Sequence, residues 1–339
     1  MRRPVLALLL ISLGGCSHPN TSADFDKLTQ DFLYGSLAQS PVSATAAGYH
    51  LHNGVPLDEL VDDYSSGGLD QQRNFYKDFQ LRIAALDTAK LDKEQHVDLD
   101  IIKNNIDLAL LELDTIQSYK HNPTVYVELA GNALYTPYML YYAPVEKRFG
   151  HIIKRLERVP ALYEQAKANL TDAPEVWNRV AREENDGNVG LIDKTLRDAV
   201  PESQKAAYAA AAEKALAAVR DFNVFLKDKL SSKTSDWRLG KEKYARKFAL
   251  VLASGRTPEE LLAAAESDLV TVRKQMAELA APKTVEQALE DVARQHATPD
   301  TFLAKARETL AQSTAFIKEK DLLTLPARSN LQVIETPEF

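Results

Sequence analysis

Thr257-Pro258-Glu259-Glu260-Leu261-Leu262-Ala263-Ala264-Ala265-Glu266-Ser267-Asp268-Leu269-Val270-Thr271-Val272-Arg273-Lys274-Gln275-Met276-Ala277-Glu278-Leu279-Ala280 decides the fold class. A threonine hydroxyl stands ahead of proline at the first helical position, and glutamate follows three residues after the threonine, which is the start of a capped helix. Leu261, Ala265, Leu269, Val272, Met276 and Leu279 then recur at three- and four-residue steps until Pro282 closes the pattern. That spacing puts them on one face of an α-helix.

The same grammar recurs outward from this stretch. Weaker helix starts follow at Thr284 with Gln287, and at Thr298-Pro299-Asp300. Upstream, Ala215, Val219, Phe222, Leu226 and Leu230 form one stripe in the alanine-rich stretch 204–230. Phe149, Ile152, Ile153 and Leu156 mark another helix, and Pro160 is placed to open the next, through Leu162, Ala166 and Leu170. Between Lys93 and Ser118, Leu99, Ile102, Ile106, Leu110 and Leu113 line one face, while Ile101, Leu108 and Leu111 widen it. With 13 glycines and 15 prolines in 339 residues, the composition suits long helices rather than many short strands. The expectation is an all-α, multi-helix array of long antiparallel helices. One longer irregular stretch, 48–68, interrupts it, and no fixed-period repeat indicates a solenoid.

Apolar residues make up 45% of the chain, enough for a buried core. The formal charge is −7, the wrong sign for a phosphate-backbone binder, so nucleic acid is not an expected partner.

The N-terminus carries an address. Met1-Arg2-Arg3-Pro4 precedes an apolar run from Val5 to Leu13, which is too short to span a bilayer, and Leu13-Gly14-Gly15-Cys16 follows. Residues 1–15 read as a signal peptide, and Leu13-Gly14-Gly15-Cys16 resembles a lipobox, in which the thiol of the single cysteine, Cys16, would be lipidated. Multiple acyl chains, each contributing about 0.8 kcal/mol per buried CH₂, would hold the protein on a membrane. Ser17, where an inner-membrane retention signal has aspartate, implies by resemblance the outer membrane, facing the periplasm. Residues 16–23 are read as a tether, 24–325 as the helical domain, and 326–339 as the start of a truncated C-terminal region. There Leu331-Gln332-Val333-Ile334-Glu335-Thr336 has the β-branched, partly alternating character of an unfinished short strand.

Reactive constellations are sparse. His50 and His52 would share a side of an extended segment, but two histidines without a third ligand do not make a metal site and read as loop residues. His18 lies in the tether, and His96, His121, His151 and His296 are isolated in sequence. Glu183-Glu184-Asn185-Asp186 ahead of Gly187 and Gly190 reads as a solvated helix end and loop rather than a cation site. Tyr135, Tyr138, Tyr141 and Tyr142, near Gly131 and Pro137, are a candidate substrate groove for a peptide, with core packing as the favoured reading of such tyrosines. No nucleophile elbow, Walker-type loop or dinucleotide fingerprint is present, and no catalytic or metal residue is assigned.

Several segments together resemble the bacterial family called domain of unknown function 885. They are Pro41-Val42-Ser43-Ala44-Thr45-Ala46-Ala47-Gly48, Leu239-Gly240-Lys241-Glu242-Lys243-Tyr244, Thr257-Pro258-Glu259-Glu260-Leu261, Asp321-Leu322-Leu323-Thr324-Leu325-Pro326 and Glu335-Thr336-Pro337. The resemblance implies a zinc metallopeptidase related to the thimet-oligopeptidase group, with an HExxH-type motif downstream of the last of these segments. None of the 7 histidines here stands in such a motif. The expectation is therefore the N-terminal helical part of a lipid-anchored peptidase-like protein, inactive alone and without a cofactor, zinc being expected in full-length members. A complete, non-catalytic helical lipoprotein that binds a peptide or envelope partner is the alternative.

Overall fold

The computed structural model describes residues 21–230, 235–327, 331 and 333–335. Cys16 and the signal peptide lie outside the described residues. The fold is all-α, as the periodicities require. The chain divides into two compact units, one ending at Ala253 and one beginning at Ser254.

The first unit opens with α1 (Thr21–Gln39), which starts within the stretch read as a tether, and α2 (Pro41–Ala46). The stretch read as irregular holds a small antiparallel hairpin, β1 (Leu51–His52) and β2 (Val55–Pro56), with Leu51 opposite Pro56 and His52 opposite Val55. Asn53 and Gly54 turn it with φ of 48° and 81°, the left-handed backbone that Asn-Gly adopts at least cost. A short 3₁₀ turn, Leu57–Glu59, follows.

Next come α3 (Ser66–Ala84) and α4 (Lys93–Leu111). Asp92 and Gln95 form a capping box at the start of α4. Phe25, Leu28 and Phe32 of α1, Phe79 and Ile83 of α3, and Leu99, Ile102 and Ile106 of α4 form one buried cluster. The three- and four-residue steps read from the sequence are thus the inward face of α4, with Ile101 left exposed.

A larger core follows. It is built on α5 (Ser118–His121), α6 (Thr124–Met139), α7 (Val145–Leu156), α8 (Val159–Asn169), α9 (Glu175–Gly190), α10 (Leu196–Ala199) and α11 (Lys205–Phe225). Phe149, Ile152 and Leu156 of α7, Tyr163 of α8, and Ala215, Val219 and Phe222 of α11 are all within 1% of full burial. Each large apolar side chain so buried contributes roughly 1.5–3 kcal/mol. Tyr163 stacks on Phe222 with ring centroids 4.6 Å apart.

Among the described residues, three wide π-type turns extend helices: Glu112–Ile116 after α4, Leu191–Thr195 after α9 and Leu226–Leu230 after α11. Buried asparagines of α9 satisfy the backbone beside it. Asn178 Nδ2 donates to Leu226 O at 2.9 Å, Asn185 Nδ2 to Val219 O at 2.9 Å, and Asn188 Nδ2 to Val127 O at 3.0 Å. The expected helix end near Glu183 is therefore corrected. α9 runs through Gly187 to Gly190 because Asn185 and Asn188 face the core, and that packing outweighs the roughly 1 kcal/mol that a glycine costs a helix.

Pro137 sits inside α6. A proline has no N–H, so Ala133 O, four residues earlier, loses its usual donor. Arg155 of α7 supplies one, donating from Nη1 at 3.0 Å. Seven residues earlier on the same helix, Arg148 donates from Nη1 to Pro137 O at 2.8 Å and to Tyr138 O at 2.6 Å, occupying carbonyls of the last turn of α6. The unit closes with α12 (Lys241–Leu252), held to α4 by Asn104 Nδ2 donating to Leu250 O at 2.7 Å.

The second unit consists of α13 (Pro258–Ala280), α14 (Val285–Ala293) and α15 (Pro299–Glu319). Capping boxes at Thr257 with Glu260, at Thr284 with Gln287 and at Thr298 with Thr301 start them where the sequence placed the helix starts. None of the described residues of this unit is buried. Leu269 on the predicted apolar face is 49% exposed and Leu279 87%. Farther on, Leu331, Val333, Ile334 and Glu335 form no strand, and the rest of the expected strand lies outside the described residues. No neighbouring strand is described there, and an isolated strand has no ladder to satisfy its backbone groups.

Candidate functional site

Two places in the first unit gather polar chemistry. One is closed. α2 and the 3₁₀ turn lie against α7, and their side chains form a buried chain of contacts. Arg155, fully buried, donates from Nη2 to Thr45 Oγ1 at 2.6 Å. Thr45 Oγ1 lies 2.7 Å from Asp58 Oδ1 and 3.1 Å from Pro41 O. A hydroxyl has one proton, and the shorter contact to a carboxylate is the stronger place for it.

Asp58 also accepts from His50 Nδ1 at 2.9 Å, and its other oxygen lies 3.5 Å from His151 Nδ1. The Tyr142 hydroxyl is 2.9 Å from that same nitrogen, while its ring stacks on His50 at 4.3 Å. Burial dominates the electrostatics, disfavouring the charged forms. It lowers the pKa of His151, raises that of the Tyr142 phenol, and brings Arg155 down to about 10. Nearby, Asp62 accepts from Val42 N–H at 3.1 Å in the first turn of α2, and burial pushes its carboxyl up to about 6. These groups lock the hairpin, α2, α6 and α7 together. Arg155, Asp58 and His151 are buried, while His50 and Tyr142 at the edge of the cluster are partly exposed.

The second place is open. A cavity of about 760 Å³ is lined by Trp177 of α9, by Trp237 ahead of α12, by Tyr244 in the first turn of α12, and by Ile116 and Leu239. The chain has only 2 tryptophans, and both are here. Arg238, Lys241, Lys243 and Lys247 share the lining with Asp172 and Asp236. The Arg238 guanidinium lies over the Trp237 ring, 4.5 Å from its centroid, and contacts Asp236 Oδ1 at 3.3 Å. Lys247 Nζ pairs with Glu112 Oε1 at 2.5 Å, and Ser118 Oγ donates to the other oxygen of Glu112 at 2.9 Å. His121 Nδ1 pairs with Asp172, while Thr171 N–H donates to Lys120 O at 3.0 Å and holds those two segments together. A left-handed Gln117, φ 56°, makes the bend between the π turn and α5 at one wall.

The residues singled out in the sequence are dispersed. Tyr135 and Tyr138 pack against the larger core, with ring centroids 6.3 Å apart. Tyr141 is 85% exposed, with Arg148 over its ring at 5.1 Å. Tyr142 belongs to the closed cluster. His50 and His52 do not converge: His52 Nδ1 meets the Tyr49 hydroxyl at 2.8 Å, whereas His50 meets Asp58. Glu183 is exposed and paired with Arg179. No group of three or more metal-type side chains is placed to hold an ion among the described residues. Sequence reasoning missed His121 and His151, whose partners Asp172 and Asp58 are far away in the chain, and it missed the tryptophans altogether.

Taken together, these features define an all-α helical array that carries one open aromatic, cationic groove. The chain belongs to the family described as "Bacterial protein of unknown function (DUF885)", whose profile matches residues 41–339. Among solved structures it is similar to "a putative lipoprotein of unknown function" from Shewanella oneidensis, with a TM-score of 0.72 at 22% identity. The match covers 93% of this chain and 61% of that one, so this chain spans less than two thirds of its neighbour's length. No curated protein matches the sequence.

Proposed function

We propose that this chain is the helical, non-catalytic portion of a lipid-anchored cell-envelope protein, outer-membrane-bound and facing the periplasm. In this reading, further polypeptide of a zinc-peptidase type packs on its second unit. The observation that carries the proposal is the uncovered apolar surface of that unit. On the apolar stripe of α13, Leu269, Val272 and Leu279 are 49%, 47% and 87% exposed, so the one-sided pattern of that helix has no partner within its own unit. The greater length of the solved neighbour and the lipobox-like Leu13-Gly14-Gly15-Cys16 agree with it.

The test is twofold. Purified chain is loaded with zinc and offered a mixed peptide library, and its state of association is measured by sedimentation. The expected result is a monomer that binds hydrophobic dyes and shows no chelator-sensitive cleavage. Cleavage that stops on chelation, or a tightly held zinc ion, would overturn the non-catalytic assignment. A stable dimer whose exchange protection falls on α13 and α15 would overturn the missing-partner assignment. Mass measurement of the mature N-terminus tests the anchor, and an unmodified Cys16 would remove it.

A further inference from the structure

The open groove has no part in that proposal, and its chemistry points elsewhere. At about 760 Å³ it falls within the range of roughly 300–1,000 Å³ typical of ligand sites. Its walls combine Trp177, Trp237 and Tyr244 with Arg238, Lys241, Lys243 and Lys247 against Asp172 and Asp236, Lys247 being paired with Glu112, in a chain whose overall charge is −7. Both carboxylates are already engaged, Asp172 by His121 and Asp236 by Arg238. Lys243 has no ion pair among the described residues, and Arg238 is held face-on against an indole rather than buried in a bidentate pair. Excess positive charge beside apolar rings suits a ligand that brings both carboxylates and apolar side chains.

We infer that this groove binds an acidic peptide segment. Carboxylates of the peptide would meet Arg238 and Lys243, and an apolar or aromatic side chain would lie against Trp177 and Tyr244. Ser118, Asn122 and Ser235 at the lining provide hydrogen-bonding groups for an extended backbone. A neutral glycan would use the rings but leave the cations without purpose. A nucleic acid would be repelled by the remainder of the surface. The inference stands independently of whether further polypeptide completes the second unit.

Because both tryptophans line the groove, their fluorescence reports occupancy without a label. The probe is a capped pentapeptide of sequence Asp-Glu-Phe-Asp-Glu, titrated into the full chain, with Asn-Gln-Phe-Asn-Gln as its neutral counterpart. The expected result is a saturable emission change for the acidic peptide with at least tenfold weaker binding of the neutral one. The Arg238→Gln and Lys243→Gln variants, both at exposed positions, should each weaken the acidic peptide several-fold with unchanged circular dichroism. Raising ionic strength should weaken it further. Equal binding of the two peptides, no saturable change, or indifference to both variants would each overturn the inference. So would saturable binding of polygalacturonate or of phosphatidylglycerol vesicles in preference to the peptide.

Discussion

Arg155→Ala, combined with Pro137→Ala, tests whether a buried guanidinium replaces a backbone hydrogen bond that proline deletes. In the native structure Arg155 Nη1 reaches Ala133 O at 3.0 Å and Nη2 reaches Thr45 Oγ1 at 2.6 Å. Leu57 O, another acceptor of Arg155, also receives Leu60 N–H at 3.0 Å, so it is not orphaned when the arginine goes. The principal losses are thus Ala133 O, left buried without a donor, and the cation that supports the Thr45–Asp58 pair. Hydrogen bonds to charged groups contribute about 1.5–3 kcal/mol each. Arg155→Ala should therefore cost about 3–5 kcal/mol, the range found on breaking buried charged contacts.

Restoring an N–H at position 137 gives Ala133 O an intrahelical donor. The double variant should then recover about 1–2 kcal/mol relative to the sum of the two single changes. Urea unfolding followed by tryptophan fluorescence is a suitable assay, since Trp177 and Trp237 both belong to the first unit. Additivity within about 0.5 kcal/mol would show that Arg155 does not stand in for the missing bond.

Three further perturbations have defined outcomes. Asp62, whose folded-state pKa is raised to about 6, binds a proton more readily folded than unfolded, so its contribution to stability falls as pH rises from about 4 to 6. The stability of the native chain relative to Asp62→Asn should decrease across that window by on the order of 2 kcal/mol in urea titrations, and a flat difference would contradict the burial argument. His151 acts with the opposite sign: its pKa is lowered, so its contribution is present above the ordinary histidine value and is lost on acidification, and Asp62→Asn should expose that acid sensitivity. Phe222→Ala, at a fully buried ring stacked on Tyr163, should cost about 3–5 kcal/mol in the same assay. Gly131→Ala would bring a methyl group within 2.6 Å of Asn188 Oδ1 and displace the side chain that donates to Val127 O, for a loss of about 1–3 kcal/mol measured by thermal denaturation.

The sequence made the helices readable because their information is local. The steps through Ala215, Val219, Phe222, Leu226 and Leu230 end as residues no more than 1% exposed, and the Thr257 box caps α13 as its spacing required. The Asn53-Gly54 hairpin was also local, but polar composition masked it within a stretch read as irregular. Gly187 and Gly190 misled in the other direction, since the asparagines that carry α9 past them act through α6, α8 and α11. What stayed illegible is long-range. Arg155 finds Thr45 across 110 positions, His121 finds Asp172 across 51, and each lies on a different element from its partner. The groove has the same origin: Leu239-Gly240-Lys241 attracted notice only as a familiar segment, and nothing in its residues announces Trp177 or His121 as neighbours.

The two arginine contacts of α7 have a consequence for how the protein meets its surroundings. Surface ion pairs such as Lys27 with Asp31 or Lys305 with Glu308 lie open to mobile ions and weaken as an external medium grows more saline. Arg148 and Arg155 hold α6 from the interior, through carbonyl oxygens instead of exposed carboxylates, where those ions do not reach. The last turn of α6 should accordingly keep its form in brine and in dilute buffer alike.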